Sequence, residues 1–179
     1  IDKLTPYDLW EEIVEKQNVA LAIVVGATGG IGRALYGRLS TQSRFSVVLG
    51  LGRRSSPPLD LTDEPSIAGA ARHVAGFGAD VRLIIDASGI LHGDGLSPEK
   101  SWRDLDAAQM ARAFAVNAIG PALLMKHFLP LLPRQGRCVA AFLSARVGSI
   151  GDNALGGWYG YRASKAALNQ LVHTAAIEL

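Results

Sequence analysis

Cysteine and charge are both scarce in this sequence. Its 179 residues include one cysteine, Cys138, and only 19% of them are charged. A single cysteine excludes a disulfide within the chain and fits a reducing compartment. The formal net charge is +2, and the basic residues are scattered, with only Arg53 and Arg54 adjacent. The chain therefore lacks the basic stripe typical of nucleic-acid binding.

Long apolar runs are missing as well. No stretch approaches eighteen apolar residues, and the opening IDKLTPYDLW lacks the apolar core of a signal peptide. We therefore expect a soluble, cytoplasmic protein with no membrane segment. Hydrophobic residues make up 49% of the chain and 20 residues are glycine, as in a compact domain with many tight turns.

Strands and helices are predicted to alternate from Val19 onward. The strands are VALAIVV, FSVVLGL, VRLIIDA and RCVAAFL, and the helices lie around RALYGRL and SIAGAARHVAGFG, between Asp106 and Leu132, and after Tyr161. Apolar strands that alternate with helices favour an α/β fold with a parallel sheet covered on both faces. We expect residues 19–179 to form one domain. Residues 1–18, with Thr5 and Pro6 suited to a helix start, are expected to be a helical extension.

A glycine-rich turn, GATGGIG, follows the first predicted strand. Such a turn lets the backbone approach a pyrophosphate, and the next helix then offers amide donors and a partial positive charge. Glycine clusters also occur in ordinary tight turns. The position directly after the first strand of an α/β pattern favours dinucleotide binding.

The nucleotide type is predicted from the residues after the second strand. An acidic residue there would accept the ribose hydroxyls of NAD, whereas arginine suits the 2′-phosphate of NADP. Arg53 and Arg54 occupy this place, and no acidic residue follows before Asp60. NADP(H) is therefore expected over NAD(H), although the two arginines could also be ordinary surface residues.

Two tyrosines lie near one lysine in the stretch WYGYRASK. On a helix, residues four apart lie about 40° from each other and residues six apart about 120°. Tyr161 therefore shares a face with Lys165, and Tyr159 does not. A neighbouring ammonium favours the phenolate, so Lys165 is expected to lower the pKa of Tyr161. A solvated surface pair is the alternative.

The two motifs together resemble those of the short-chain dehydrogenase/reductase family. Gly26, Gly30 and Gly32 match its Gly-x-x-x-Gly-x-Gly turn, and Tyr161 and Lys165 match its Tyr-x-x-x-Lys. The stretches LSARVGSIGDN and GGWYGYRASKAALN are most similar to a bacterial subgroup that includes the C-factor, a cell-contact signalling protein, and small carbonyl reductases. The resemblance implies a Rossmann-type doubly wound parallel sheet and NADPH-dependent reduction of a ketone or aldehyde. A signalling or NADP-sensing module with little turnover is the alternative.

The resemblance also implies a set of site residues. Asp60 in LDLTD would contact the adenine, and Asn117 in AVNAIG would join a proton relay through water unless it only bonds locally within its helix. The implied catalytic residues are Tyr161, Lys165, Ser144 and Asn117. The implied cofactor contacts are Gly26, Thr28, Gly29, Gly30, Ile31, Gly32, Arg53, Arg54, Asp60, Ala87, Ser88, Gly89, Asn117, Tyr161 and Lys165.

Two positions depart from the family pattern. Of the family's paired serines before the tyrosine, the first matches Ser144, and the second, the catalytic one in the family, is replaced by Ala145. Ser149 lies twelve residues before Tyr161, but Ser144, at the end of a predicted strand, is favoured over it as the catalytic serine. Asp86 replaces an uncharged side chain in DASG, with no partner evident from the sequence. His92 has no spaced ligand partner, and no metal is predicted.

The sequence ends in the helix that carries Tyr161 and Lys165, whereas family members of the usual length continue through further strands. The resemblance then implies an open sheet edge next to the strand that ends near Ser144, and such an edge is prone to association. We expect either that the chain is part of a longer protein or that a partner chain covers the edge. A homo-oligomer acting on a small carbonyl or alcohol is expected.

Overall fold

The computed structural model describes residues 20–93 and 95–179, so the helix predicted within residues 1–18 lies outside the described residues. Four strands form one sheet: β1 (Ala20–Val25), β2 (Val47–Leu51), β3 (Asp80–Asp86) and β4 (Val139–Phe142). All neighbouring pairs are parallel, in the order β2-β1-β3-β4. The chain moves outward from β1 to β2 and then crosses back to β3, which confirms the predicted doubly wound, Rossmann-type sheet.

Five α-helices flank the sheet in the described part of the chain. They are α1 (Gly30–Ser40), α2 (Glu64–Ala75), α3 (Ala107–Phe114), α4 (Gly120–Phe128) and α5 (Tyr159–Glu178). Short 3₁₀ helices cover Trp102–Asp104, Leu129–Leu131 and Arg146–Gly148. The long helix predicted between Asp106 and Leu132 is present, but a π-helical segment, Ala115–Ile119, separates α3 from α4.

The helical stretch Ala107–Leu131 is long and apolar enough to cross a membrane by length and composition, with a mean hydropathy of 1.3. In this fold 39% of its most apolar part is buried inside the domain. Leu124 and Phe128 on α4 are fully buried in the cluster that also contains Ile67 and Val74 of α2. Packing within the domain thus accounts for part of its apolar composition.

Strand β1 lies at the centre of the sheet and is buried along its whole length. Burying each large apolar side chain, such as Leu21 or Ile23, contributes about 1.5–3 kcal/mol. This packing fixes the carboxyl ends of β1 and β3, between which the strand order reverses. Ligands of open α/β sheets bind in the crevice at such a reversal.

Strand β4 forms one edge of the sheet. In the described part of the chain it pairs with β3 alone, and Val139 at its start is 42% exposed. The edge expected next to Ser144 is therefore present in this fold. Whether another segment or chain covers it stays a prediction.

Candidate active site

The glycine turn after β1 adopts a close-packed conformation in which Gly26 and Gly32 leave no room for a side chain. Gly26 has φ +75°, and a Cβ added there would lie 3.1 Å from the main chain of Ala87 and Ser88. A Cβ on Gly32 would lie 2.2 Å from the Gly26 carbonyl oxygen. The turn therefore packs directly against the start of α1, and the helix N-terminus faces outward at Gly29 and Gly30, where it can receive an anion.

A cleft of about 620 Å³ opens at the carboxyl ends of β1, β2 and β3. Eight of the residues predicted to contact the cofactor line it: Gly26, Thr28, Gly29, Arg53, Asp60, Ala87, Ser88 and Gly89. The other seven predicted contacts are outside the lining. Gly30, Ile31 and Gly32 lie in the first turn of α1, Arg54 follows Arg53, and the last three are Asn117, Tyr161 and Lys165. The cleft has the glycine-lined floor that a nicotinamide dinucleotide requires, so the residues present fit that group.

Other lining residues were not identified from the sequence. Thr62, Arg112 and Val116 are among them. Thr62 donates its main-chain N–H and its hydroxyl to Asp60 Oδ1, at 2.9 and 2.7 Å. These two hydrogen bonds hold the pKa of Asp60 below its usual value, and the positive charge of Arg53 acts in the same direction. The Asp-x-Thr spacing in LDLTD was the available signal for Thr62.

Tyr161 and Lys165 lie one turn apart on α5, as their spacing predicted. Lys165 is only 3% exposed, and its Nζ donates to the Leu143 carbonyl oxygen at 2.9 Å. A Cβ on Gly89, a residue of the cleft, would lie 3.3 Å from Lys165 Nζ. The ammonium group therefore adjoins the inner end of the cleft.

The side chain of Asn117 forms hydrogen bonds that connect its own helix to the loop at Ile90 and to α5. It is fully buried in the π-helical segment, its Oδ1 accepts from the Ile90 N–H at 2.8 Å, and its Nδ2 donates to the Ile90 carbonyl at 2.8 Å. Nδ2 also donates to Ser164 Oγ at 3.1 Å, and that hydroxyl donates to the Tyr161 carbonyl at 2.9 Å. The alternative of a purely local side-chain bond is therefore wrong. π-Helical segments often occur at functional sites.

The predicted lowering of the Tyr161 pKa is wrong for this structure. Burial raises the pKa of the Tyr161 phenol above its ordinary value. The Lys165 ammonium is engaged with the Leu143 carbonyl and lies near Asp86. Burial lowers the pKa of Lys165, and the Asp86 charge opposes that shift. Desolvation therefore decides both directions, because Lys165 is buried and Tyr161 is partly buried.

Asp86, whose partner the sequence did not reveal, is 2% exposed at the end of β3. Its Oδ1 accepts from the Ser88 N–H at 2.9 Å and from the Ser88 hydroxyl. Burial raises the pKa of Asp86, while the bonds from Ser88 and the charge of Lys165 act against that rise. Asp86 thus supplies a buried acidic partner for Lys165.

The two candidate serines are both exposed and lie near the same helix. Ser144 directly follows Leu143, whose carbonyl accepts the Lys165 bond. Ser149 follows the 3₁₀ turn Arg146–Gly148, and its Oγ accepts from the Asp152 N–H at 3.3 Å. The assignment of the catalytic serine stays a prediction. His92 is exposed, and within residues 20–93 and 95–179 no cluster of acidic, His and Cys side chains could hold a metal ion.

Comparisons with known proteins agree with this geometry. A family model described as enoyl-(acyl carrier protein) reductase matches residues 41–179. The C-signal of Myxococcus xanthus is 42% identical over 76 residues, which are 42% of this chain and 46% of that protein. The 1-hydroxy-2-glutathionyl-2-methyl-3-butene dehydrogenase of Rhodococcus sp. (strain AD45) is 26% identical over 166 residues, covering 86% of this chain and 68% of that one.

A solved structure shares the fold closely. The NADPH-bound carbonyl reductase from chicken fatty liver superposes with a TM-score of 0.74 at 27% identity, covering 90% of this chain and 71% of that one. The chain spans about half to two thirds of the length of the two curated relatives above. The family model covers most of the chain, residues 41–179, and the helix that carries Tyr161 and Lys165 lies within the matched part. The parallel sheet agrees with the fold of the solved relative. The chain belongs to the short-chain dehydrogenase/reductase family.

Proposed function

We propose that this protein reduces a ketone or aldehyde to an alcohol with NADPH, and that Tyr161 donates the proton. One observation carries the proposal. The helix that bears Tyr161 and Lys165 reaches the glycine-lined cleft at Gly89. A Cβ added to Gly89 would lie 3.3 Å from Lys165 Nζ. A carbonyl group between the cleft and the Tyr161 phenol would then have a hydride source on one side and a proton donor on the other.

Different cleft residues would bind different parts of the cofactor. Gly26, Thr28 and Gly29 with the N-terminus of α1 would hold the pyrophosphate, and Asp60 would lie at the adenine. Arg53 supports NADP because its planar cation suits the 2′-phosphate. The bound nicotinamide supplies a hydride to the carbonyl carbon.

The proton step follows from the environment of the tyrosine. The Tyr161 phenol is protonated near neutral pH because its ordinary pKa is already about 10, and burial raises that pKa further, which makes the phenol a weaker acid. When the carbonyl oxygen takes this proton, a phenolate forms, and the Lys165 ammonium can stabilise that charge. Asp86 favours the charged form of Lys165 despite its burial. Ser144 would donate to the carbonyl oxygen from the end of β4 and orient it.

The experiment is a screen of ketones and aldehydes with NADPH consumption as the readout. We expect the unmodified protein to consume NADPH with at least one of these compounds, and we expect Tyr161→Phe to lose that activity. Because that substitution removes only the hydroxyl, NADPH binding should persist in the variant. Turnover that survives Tyr161→Phe undiminished would contradict the assignment of the proton donor.

The second candidate function is signalling or NADP sensing with little turnover. The similarity to the C-signal of Myxococcus xanthus favours it, although it covers 46% of that protein. A sensing module needs the cleft but not the proton donor. Three results together would favour this function. The protein would bind NADPH tightly, it would turn over no compound of a broad carbonyl panel, and Tyr161→Phe would bind NADPH as tightly as the unmodified protein.

A further inference from the structure

The helix that carries Tyr161 and Lys165 begins without a capping side chain of its own. Trp158, at its N-cap, has left-handed dihedrals (φ 55°, ψ 42°) and makes no side-chain cap bond. The first N–H groups of any helix have no partner within the helix. They are usually satisfied by Ser, Thr, Asp or Asn at the N-cap, none of which is present here.

Glu99 provides the missing cap from a distant part of the chain. Its carboxylate accepts from the Gly160 N–H, at 3.1 Å to Oε1 and 3.3 Å to Oε2, across a separation of 61 residues. Its main-chain oxygen accepts from the Trp158 N–H at 2.6 Å. The Glu99 residue is 7% exposed. A carboxylate at this position also interacts favourably with the positive end of the helix dipole.

The fit around Glu99 is close on both sides. A Cβ on Gly160 would lie 2.9 Å from Glu99 Oε1, and a Cβ on Gly157 would lie 3.2 Å from the Glu99 carbonyl oxygen. Arg162, in the first turn of α5, donates from Nε to the Gly157 carbonyl at 2.9 Å. Glu99 therefore holds the first turn of α5, and Arg162 holds the loop before it.

We propose that Glu99 is a positioning residue that sets the orientation of Tyr161. The inference rests on the proposed function, because it assigns Tyr161 the proton donor's role. Tyr161 directly follows Gly160, the residue that Glu99 binds, and both Glu99 and Tyr161 line a small cavity. Lys165 lies one turn further along α5 and has its own anchor at Leu143. Loss of the Glu99 carboxylate should therefore displace Tyr161 and leave Lys165 in place.

The main test compares kcat with NADPH affinity in Glu99→Ala. Because small misplacements of a reacting group are costly, we expect kcat to fall by about 10- to 100-fold. The Kd for NADPH should change less than about twofold, since the glycine turn, Arg53 and Lys165 are held elsewhere. Glu99→Gln keeps an oxygen that can accept from Gly160, so it should recover most of the lost kcat.

Asp106→Ala is the matched control. Asp106 caps α3 by accepting from the Gln109 N–H at 2.8 Å, on a helix that carries neither Tyr161 nor Lys165. Its loss should lower the melting temperature, because the cap bond of α3 is gone, and leave kcat nearly unchanged. If both alanine variants lose thermal stability alike and neither loses kcat, Glu99 is a structural cap only and the proposal is wrong.

Gly160→Ala offers an independent test of the same contact. Its added methyl would lie 2.9 Å from Glu99 Oε1, so the carboxylate must shift away from the first turn of α5, and the variant should reduce kcat in the same direction as Glu99→Ala. In the double variant the carboxylate is gone, and the two losses should be clearly less than additive. Fully additive losses would contradict a shared action through the first turn of α5.

If Glu99→Ala fails to fold, the kcat values of Glu99→Gln and Gly160→Ala decide the question: a normal kcat in Gly160→Ala would refute the proposal.

One readout does not depend on turnover. Amide hydrogen exchange at Gly160 should be faster in Glu99→Ala than in the unmodified protein, while exchange in the last turns of α5 stays the same. Unchanged exchange at Gly160 would overturn the inference even if the protein is an active reductase. Conversely, an unmodified protein without turnover would refute the proposed function, and the exchange result would still decide whether Glu99 holds the helix start.

Discussion

The Nζ of Lys165 donates a hydrogen bond to the carbonyl oxygen of Leu143 at 2.9 Å. This bond joins α5 to the end of β4, immediately before Ser144. The lysine is 3% exposed, so the bond gives a buried cation a hydrogen-bond acceptor in addition to the nearby charge of Asp86. The ammonium group is thereby held beside Gly89 at the inner end of the cleft.

Tyr161→Phe is expected to lower kcat by at least about 100-fold, because it removes the proton donor while keeping the ring. The Kd for NADPH should stay within about twofold. Steady-state kinetics and a fluorescence titration with NADPH measure the two effects. Tyr159→Phe is the control, since Tyr159 is two positions before Tyr161 on the same helix and 37% exposed. A larger loss in the Tyr159 variant would reverse the assignment.

Ser144→Ala and Ser149→Ala distinguish the two serine candidates. Removing one hydrogen-bond donor to a developing oxyanion costs about 100-fold or more in kcat. We expect that loss for Ser144, which follows the Leu143 carbonyl bound by Lys165. Ser149→Ala should have a small effect, because its hydroxyl takes part in the turn to Asp152. The opposite ranking of kcat would assign the role to Ser149.

Arg53→Asp is expected to weaken NADPH binding at least about 30-fold, because a cation facing the 2′-phosphate becomes a repelling anion. NADH carries no such phosphate, so its affinity should change much less. Binding titrations with both nucleotides give the ratio. Arg54→Asp is the control, since Arg53 lines the cleft and Arg54 is outside its lining. An equal loss of both cofactors in Arg53→Asp would contradict the preference for NADP.

Asp86→Asn should change how stability depends on pH. Burial raises the pKa of Asp86 above its ordinary value of 3.8. An acid whose pKa is raised by folding binds its proton more tightly in the folded state. Its contribution is therefore most favourable below 3.8 and is lost as the pH rises through the folded pKa. Asparagine has no such ionisation but can still accept from Ser88.

Thermal unfolding over a pH series measures this effect. The difference in melting temperature, variant minus unmodified protein, should increase as the pH rises from acid toward neutral. A difference that stays constant or decreases over that range would show that the Asp86 carboxylate is not penalised by burial.

The same substitution should affect activity at alkaline pH. The Asp86 charge opposes the lowering of the Lys165 pKa by burial, so its removal should lower that pKa further. The alkaline decline of kcat should then begin at a lower pH in Asp86→Asn than in the unmodified protein. An unchanged kcat profile would indicate that Lys165 does not need its charge, or that Asp86 does not support it.

Local patterns in the sequence were enough to predict the fold and part of the candidate site. Four apolar strands alternating with helices predicted the parallel sheet, and the glycine turn after β1 and the shared helix of Tyr161 and Lys165 were predicted correctly. These features depend on residues close together in the chain, where backbone periodicity determines which side chains share a face. The π-helical segment around Asn117 was missed, because its sequence continues the helical pattern on either side.

The contacts that define the candidate site were decided by the tertiary structure. Asn117 binds Ile90 and Ser164 across 27 and 47 residues of sequence, Lys165 binds Leu143 across 22, and Glu99 binds Gly160 across 61. Burial likewise set the directions of the Tyr161, Lys165 and Asp86 pKa shifts. Sequence periodicity determines only near neighbours along the chain, whereas desolvation and these hydrogen bonds arise when the sheet and helices bring distant segments together.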